Sequence, residues 1–317
     1  MRRLASLDAR WAALPALACY LAFNLLLPLV SLPRLRPSLP VLVGLVVVPT
    51  AAFMLLQLWL AQAVVNQKPR WPVCLALLLL SAAFWALAYW YLLPTHRHPV
   101  PLFVAEFALG LSITLGCTFL GILLSPIIRE ANVLLPVALV AMPVDYLGAM
   151  TPIGFTQNAL ARNPGLVHIV TIPVPAVGGA AHHHGALHPI GFIGPGDALF
   201  MAFFFAVALR LKLNTRGTFW WMYGLLTATM LLVLFTGVNV AALIPMGLAV
   251  LIANGRFFQL KREEVFATVY AAALILILVT GFYWYSHSHF FRHTSQGDTD
   301  ARPIPRPAAP GRPAPDR

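Results

Sequence analysis

Apolar residues run through this chain in blocks of about twenty, parted by short polar or proline-bearing breaks. A helix that crosses a bilayer needs about 20 mainly apolar residues, so each block predicts a membrane span. Nine spans are predicted: roughly Trp11–Leu32, Leu39–Val65, Trp71–Leu93, Pro101–Leu124, Ala131–Met150, Pro189–Leu209, Gly217–Phe235, Val238–Ala253 and Val265–Tyr285. The eighth is short and joins the seventh through Thr236-Gly237, which predicts a tight helical hairpin. The expected fold is all-α, a polytopic transmembrane bundle of about nine spans.

Composition agrees with that pattern. The chain is 60% hydrophobic and 10% charged, whereas soluble domains carry about 25% charged residues. No large extramembrane domain fits between the spans. The one long interruption, Thr151–His188, is rich in Pro, Gly and His and reads as a structureless connection. Within it, Ile169–Ala181 is apolar enough to dip into the interface, but its prolines and Gly178-Gly179 oppose a spanning helix. Beyond Ser286 the sequence is rich in Pro, Arg and Ala with no periodic apolar pattern, and predicts a disordered tail.

Charge sets the expected orientation, because Lys and Arg in short loops favour the cytoplasmic side. With a cytoplasmic N-terminus, that side collects Arg2, Arg3, Arg10, Lys68, Arg70, Arg129, Arg210, Lys212, Arg216, Arg256, Lys261 and Arg262. The short loops of the other side hold only Arg34, Arg36, Arg97 and Arg162, the tail being left out because long polar segments cross largely regardless of charge. An external C-terminal tail follows. Met1-Arg2-Arg3 ahead of the first apolar run has the order of a signal peptide, but the run is too long for one that is cleaved and predicts a retained anchor. The net charge of +11 is scattered over loops and tail, so basic caps on membrane helices explain it and no nucleic-acid partner is expected.

Cys19, Cys74 and Cys117 lie in apolar runs at no metal-ligand spacing and read as small buried residues. The run His182-His183-His184, with His168 and His188 nearby, has no acidic or thiolate companion and does not preset a tetrahedral site. Neither a metal nor a cofactor is expected.

Ten acidic residues are present, and only Glu106, Asp145 and Asp197 fall within apolar runs. An ionisable side chain at bilayer depth is costly and marks a functional site by default. Asp197 closes the tetrad Gly194-Pro195-Gly196-Asp197, and Asp145 lies on the preceding span. Pro195 suits the first turn of a helix, which would put Asp197 near the positive helix end. Gly194 and Gly196 would tolerate irregular dihedrals and let a substrate backbone approach closely. Two carboxyls sharing one site hold a single proton between them, the state needed for amide hydrolysis. Glu106 reads as satisfying a neighbouring helix or lining the cavity mouth.

At these residues the chain resembles the presenilin and signal peptide peptidase family of GxGD intramembrane aspartyl proteases. Asp145-Tyr146-Leu147-Gly148 is followed by Pro152 and Gly154, similar to the family's first catalytic segment. The exit from Ala206 to Arg210, with polar Lys212–Arg216, is similar to that of the peptidases' GxGD helix. Ala242-Leu243-Ile244-Pro245 resembles the Pro-Ala-Leu element that lies beside the family's catalytic pair, and basic Arg256–Arg262 follows it. The likeness spans about Asp145–Arg262, with departures. Tyr146 follows its aspartate instead of preceding it, Ala241 stands where the family has proline, Pro195 takes a position often hydrophobic, and one extra span follows.

The resemblance implies N-terminal transmembrane helices over residues 1–130 and a protease-like catalytic core over 131–262, which contains the 151–188 connection. A final helix over 263–285 and the tail over 286–317 complete the chain. It implies Asp145 and Asp197 as the catalytic dyad, with Tyr146, Gly194, Gly196, Ala242, Leu243 and Pro245 supporting the site. The expected activity is cleavage of transmembrane-helix substrates within the lipid bilayer. The rival expectations are a proton- or cation-coupled transporter using Glu106, Asp145 and Asp197, a type IV prepilin peptidase, and an inactive scaffold.

Overall fold

In lipid, backbone polar groups find no water, so a spanning segment closes its hydrogen bonds internally as a helix. The computed structural model describes residues 13–30, 39–92, 102–150, 165–177, 189–237 and 240–258, with isolated positions between 266 and 284. Its helices are α1 (Ala13–Leu26), α2 (Leu39–Asn66), α3 (Trp71–Leu92), α4 (Leu102–Leu124), α5 (Ala131–Met150), α6 (Gly165–Val170), α7 (Pro195–Arg210), α8 (Thr215–Thr236) and α9 (Leu243–Asn254). Strands β1 (Ile172–Pro175) and β2 (Pro189–Ile193) pair antiparallel, with Ile172 opposite Ile193 and Val174 opposite Gly191. Among the described residues, four helices, within α2, α3, α4 and α8, are long and apolar enough to cross a bilayer, and three shorter apolar helices accompany them. The chain is a mostly helical membrane protein.

Several expected boundaries move. The first span, expected over Trp11–Leu32, has its helix over Ala13–Leu26 and then tightens into a 3-10 turn around Pro28. The sixth, expected from Pro189, begins as strand β2, because Pro189, Gly191 and Gly194 deny the helix its start until Pro195. The eighth, expected from Val238, becomes helical only at Leu243. The Thr151–His188 connection, expected to be structureless, contains α6 and β1, and Ile172 and Val174 are fully buried. Cys19, expected to be buried, is exposed, whereas Cys74 is buried and Cys117 half-buried. The ninth span lies largely outside the described residues, although isolated positions from Phe266 to Trp284 are helical. The tail beyond Ser286 also lies outside them.

Helix α7 is the centre. Every residue from Met201 to Ala208 is buried, so the helix is covered all round, the pattern of a core element. Helices α4 and α2 supply most of the cover, with α8 and α9 beside them. Three phenylalanines, Phe203, Phe204 and Phe205, fill the space between neighbours. Against α4 the approach is closer still. A Cβ added at Gly121 would stand 2.8 Å from both the Leu199 carbonyl oxygen and the Phe203 nitrogen. Here the two backbones touch, as small residues allow between membrane helices.

Polar clamps fix the opposite end of α7. Arg210 donates Nη1 to the carbonyl oxygens of Ser125 at 3.0 Å and Ile128 at 3.3 Å, satisfying the exit of α4. Buried Asn254, at the end of α9, accepts from the Asn214 amide at 2.9 Å and donates to the Thr218 hydroxyl at 2.9 Å. The turn between α7 and α8 is thereby tied to α9. Gly237 ends α8 with φ 69°, a left-handed cap natural to glycine.

Gly121→Val is expected to destabilise the detergent-solubilised protein by about 1–3 kcal/mol, the cost of overpacking a close contact. Thermal unfolding measured beside a Gly224→Val control, whose Cβ meets open space, checks this. An equal loss in both variants would show that the α4–α7 contact is not the cause.

Candidate active site

The site grows from two helix beginnings. At the first, Gly194 is an extended N-cap (φ −70°, ψ 152°) and Pro195 is the first helical residue of α7. Asp197 falls in the first turn, and its Oδ2 accepts from the Gly194 amide at 3.1 Å. A full capping box would need an acceptor on the N-cap side chain, which glycine lacks, so only this half exists. The expectation that the two glycines serve irregular dihedrals does not hold. Gly237 is the sole positive-φ glycine among the described residues. The need at Gly194 is space: a Cβ there would lie 3.2 Å from the Asp197 Oδ2 and crowd the cap. At Gly196 a Cβ would meet nothing within 4 Å, so its exposed face opens away from the protein.

The second beginning is α9. Of its first amides, Ile244 donates to the Ala241 carbonyl oxygen, Pro245 has no N–H, and Met246 donates to Ala242. That leaves Leu243, whose amide donates at 3.0 Å to the Asp145 Oδ2. Asp145 therefore caps a helix 98 residues away in sequence. It reaches that place from α5, which carries Pro136 and Pro143 seven residues apart, nearly one helix face. Proline removes a backbone donor and loosens the helix around it, here two residues before Asp145.

Each of the two helix starts carries one acid, Asp197 at α7 and Asp145 at α9. Both residues are half-buried. Each points at the positive end of a helix, where negative charge is favoured, and in each the hydrogen bond engages Oδ2. Tyr146 is half-buried next to Asp145 on α5, Ala242 is half-buried at the start of α9, and Leu243 and Pro245 are buried in its first turn. An apolar cavity of about 370 Å³ between α3 and α4, lined in part by Trp85, Ser112 and Gly116, extends to Pro195.

Glu106 is buried on α4, with its Oε1 3.7 Å from Nδ1 of His168 on α6. Sequence reasoning placed His168 only in a histidine-rich loop. The run His182–His184 lies outside the described residues. Among the described residues no three His, Cys, Asp or Glu side chains converge as metal ligands would.

Compared with family models, characterised proteins and solved structures, the chain gives no match in any of the three.

The caps separate structure from chemistry. Asparagine keeps an acceptor oxygen where alanine removes it. Asp145→Ala and Asp197→Ala are each expected to cost about 1 kcal/mol, as for a lost N-cap, with Asp145→Asn and Asp197→Asn close to wild type. Unfolding midpoints of the four purified variants check this, and equal losses for Ala and Asn would remove the capping role.

Proposed function

We propose that the chain is an intramembrane aspartyl protease whose dyad is Asp145 and Asp197. The observation that supports this reading is that two half-buried carboxylates from different helices cap the starts of α7 and α9. One ionised carboxylate takes a proton from water as that water attacks the scissile carbonyl carbon. The other, protonated, hydrogen-bonds the carbonyl oxygen and then protonates the departing amine. The pair titrates as a unit, so neither acid has a fixed part.

A substrate helix hides its carbonyls in internal hydrogen bonds and must unwind before attack. The receipt of an extended segment is supported by β2, which is partly exposed and, among the described residues, pairs on one side only, whereas β1 is fully buried. Strand β2 leads directly into Gly194, and the open face of Gly196 leaves room for a backbone beside Asp197. The Asp145–Leu243 bond supports the likeness of Ala242-Leu243-Ile244-Pro245 to a Pro-Ala-Leu element. In this reading the bundle has nine spans, a cytoplasmic N-terminus and an external tail, and the site opens toward the external side.

Purified protein should cleave a synthetic transmembrane peptide in liposomes, and Asp145→Asn and Asp197→Asn should each abolish cleavage while folding normally. Product detection by mass spectrometry decides it. Undiminished cleavage by either variant defeats the proposal. Proton or cation flux into liposomes that disappears in the same variants would instead support a transporter.

A further inference from the structure

Three turns that are far apart in sequence meet at one end of the bundle. Arg210, the last residue of α7, donates to the Ser125 and Ile128 carbonyl oxygens and so joins the α7–α8 turn to the α4–α5 turn. The Asn214 amide donates to Asn254 Oδ1 and joins the same turn to the end of α9. Each turn brings basic side chains. Arg129 follows Ile128, Arg210, Lys212 and Arg216 belong to the central turn, and Arg256 stands two residues beyond Asn254. All five are exposed. Over 125–130, 210–216 and 254–258 the one acid is Glu130. Among the described residues none of the five cations is paired with a carboxylate.

Large apolar side chains share this end. Ile127 is exposed on the α4–α5 turn. Trp220 lies one turn beyond Arg216 on α8, so the two share a face, and Trp220 and Trp221 are both exposed. The Arg256 guanidinium lies 5.2 Å over the ring centroid of exposed Phe257. Unpaired cations beside exposed indoles fit a boundary better than bulk water. Indole rings favour the headgroup level of a bilayer, where the ring is in an apolar medium and the N–H is wet. Basic residues gathered at that level attract anionic lipid, and a guanidinium can grip a phosphate through two parallel N–H groups. A soluble polyanion would meet the cations and leave the aromatic rings in water.

We propose that this end of the bundle is a docking surface for anionic phospholipid headgroups. Arg129, Lys212, Arg216 and Arg256 take the phosphates, Trp220 and Trp221 lie at the boundary with the acyl chains, and Arg210 holds the turns together. A lipid docked there fastens the ends of α4, α7 and α9 to one another. The inference is independent of the protease reading.

Native mass spectrometry of the full chain, from micelles holding equal amounts of phosphatidylglycerol and phosphatidylcholine, tests it by counting the lipids retained. Wild type should retain phosphatidylglycerol roughly fivefold or more over phosphatidylcholine, the ratio expected of even one basic residue near an anionic surface. The preference should shrink as salt rises. Lys212→Gln/Arg216→Gln should lose most of it. The α2–α3 turn supplies a matched control, because Lys68→Gln/Arg70→Gln removes equal charge from exposed residues. Lys68 also holds a positive φ of 48°, as Lys212 does at 56°. This control should keep the wild-type preference. Equal retention of both lipids by wild type overturns the proposal. So do equal losses in the two double variants, since net charge alone would then explain the binding. If Lys212→Gln/Arg216→Gln fails to fold, Arg129→Gln/Arg256→Gln reads the same surface from its other two turns and should show the same loss. Inorganic phosphate and an acidic peptide give the last arm. Binding of either to these residues in phosphatidylcholine micelles, without any preference for phosphatidylglycerol, assigns the surface to a soluble anion and defeats the lipid reading.

Discussion

A helix that begins in the protein interior, away from water, exposes amides with nothing to accept them, at a cost of about 2–7 kcal/mol for each unsatisfied group. This constraint organises the centre of the molecule. Helix α7 starts after a strand and α9 starts after a short irregular link, and each recruits a carboxylate to its opening turn. Asp197 caps its own helix, while Asp145 caps a helix far along the chain. The charges are tolerable because helix ends face them, and the helix ends are tolerable because charges face them. Each requirement offsets the other, and the outcome is one acid at each of two helix starts.

The rest of the bundle holds that arrangement still. Buried on every side, α7 meshes with α4 through Gly121, and Arg210 and the Asn214–Asn254–Thr218 network fasten its far end. Long peripheral helices such as α3 have most of their surface outside the protein core, as expected where the solvent is lipid. Buried polar side chains occur at helix ends, as Ser125, Thr218 and Asn254, and also in mid-helix, where Thr50, Ser81, Ser112, Thr114 and Thr118 each donate to the carbonyl four residues back.

Much of this was legible in the sequence, and the limits have physical causes. Spans declare themselves by apolar length, so α2, α3, α4 and α8 were read within a few residues. The start of α7 was legible because proline fits a first helical turn, and the position of Asp197 followed. The hairpin was not, because Ile172-Pro173-Val174-Pro175 is too short and too rich in proline to signal a strand. Its partner was read as the beginning of a helix, since the pairing crosses a long connection and leaves no local trace. The Asp145–Leu243 contact was foreshadowed only through a resemblance in Ala242–Pro245; no spacing rule links residues so far apart. The Glu106–His168 pair was half legible. A buried acid calls for a partner, but which loop residue answers it depends on how the chain folds back.

The close mesh at Gly121 has a mechanical corollary. Helices locked backbone to backbone cannot slide, so α4 and α7 travel as one body, and Asp197 travels with them. Asp145 belongs elsewhere, because α5 leans chiefly on α9, and α9 on α8. The two acids therefore ride on different helix pairs, joined through the Asn214 turn that Asn254 ties to α9. Their relative position is fixed by how those pairs pack and not by any single helix.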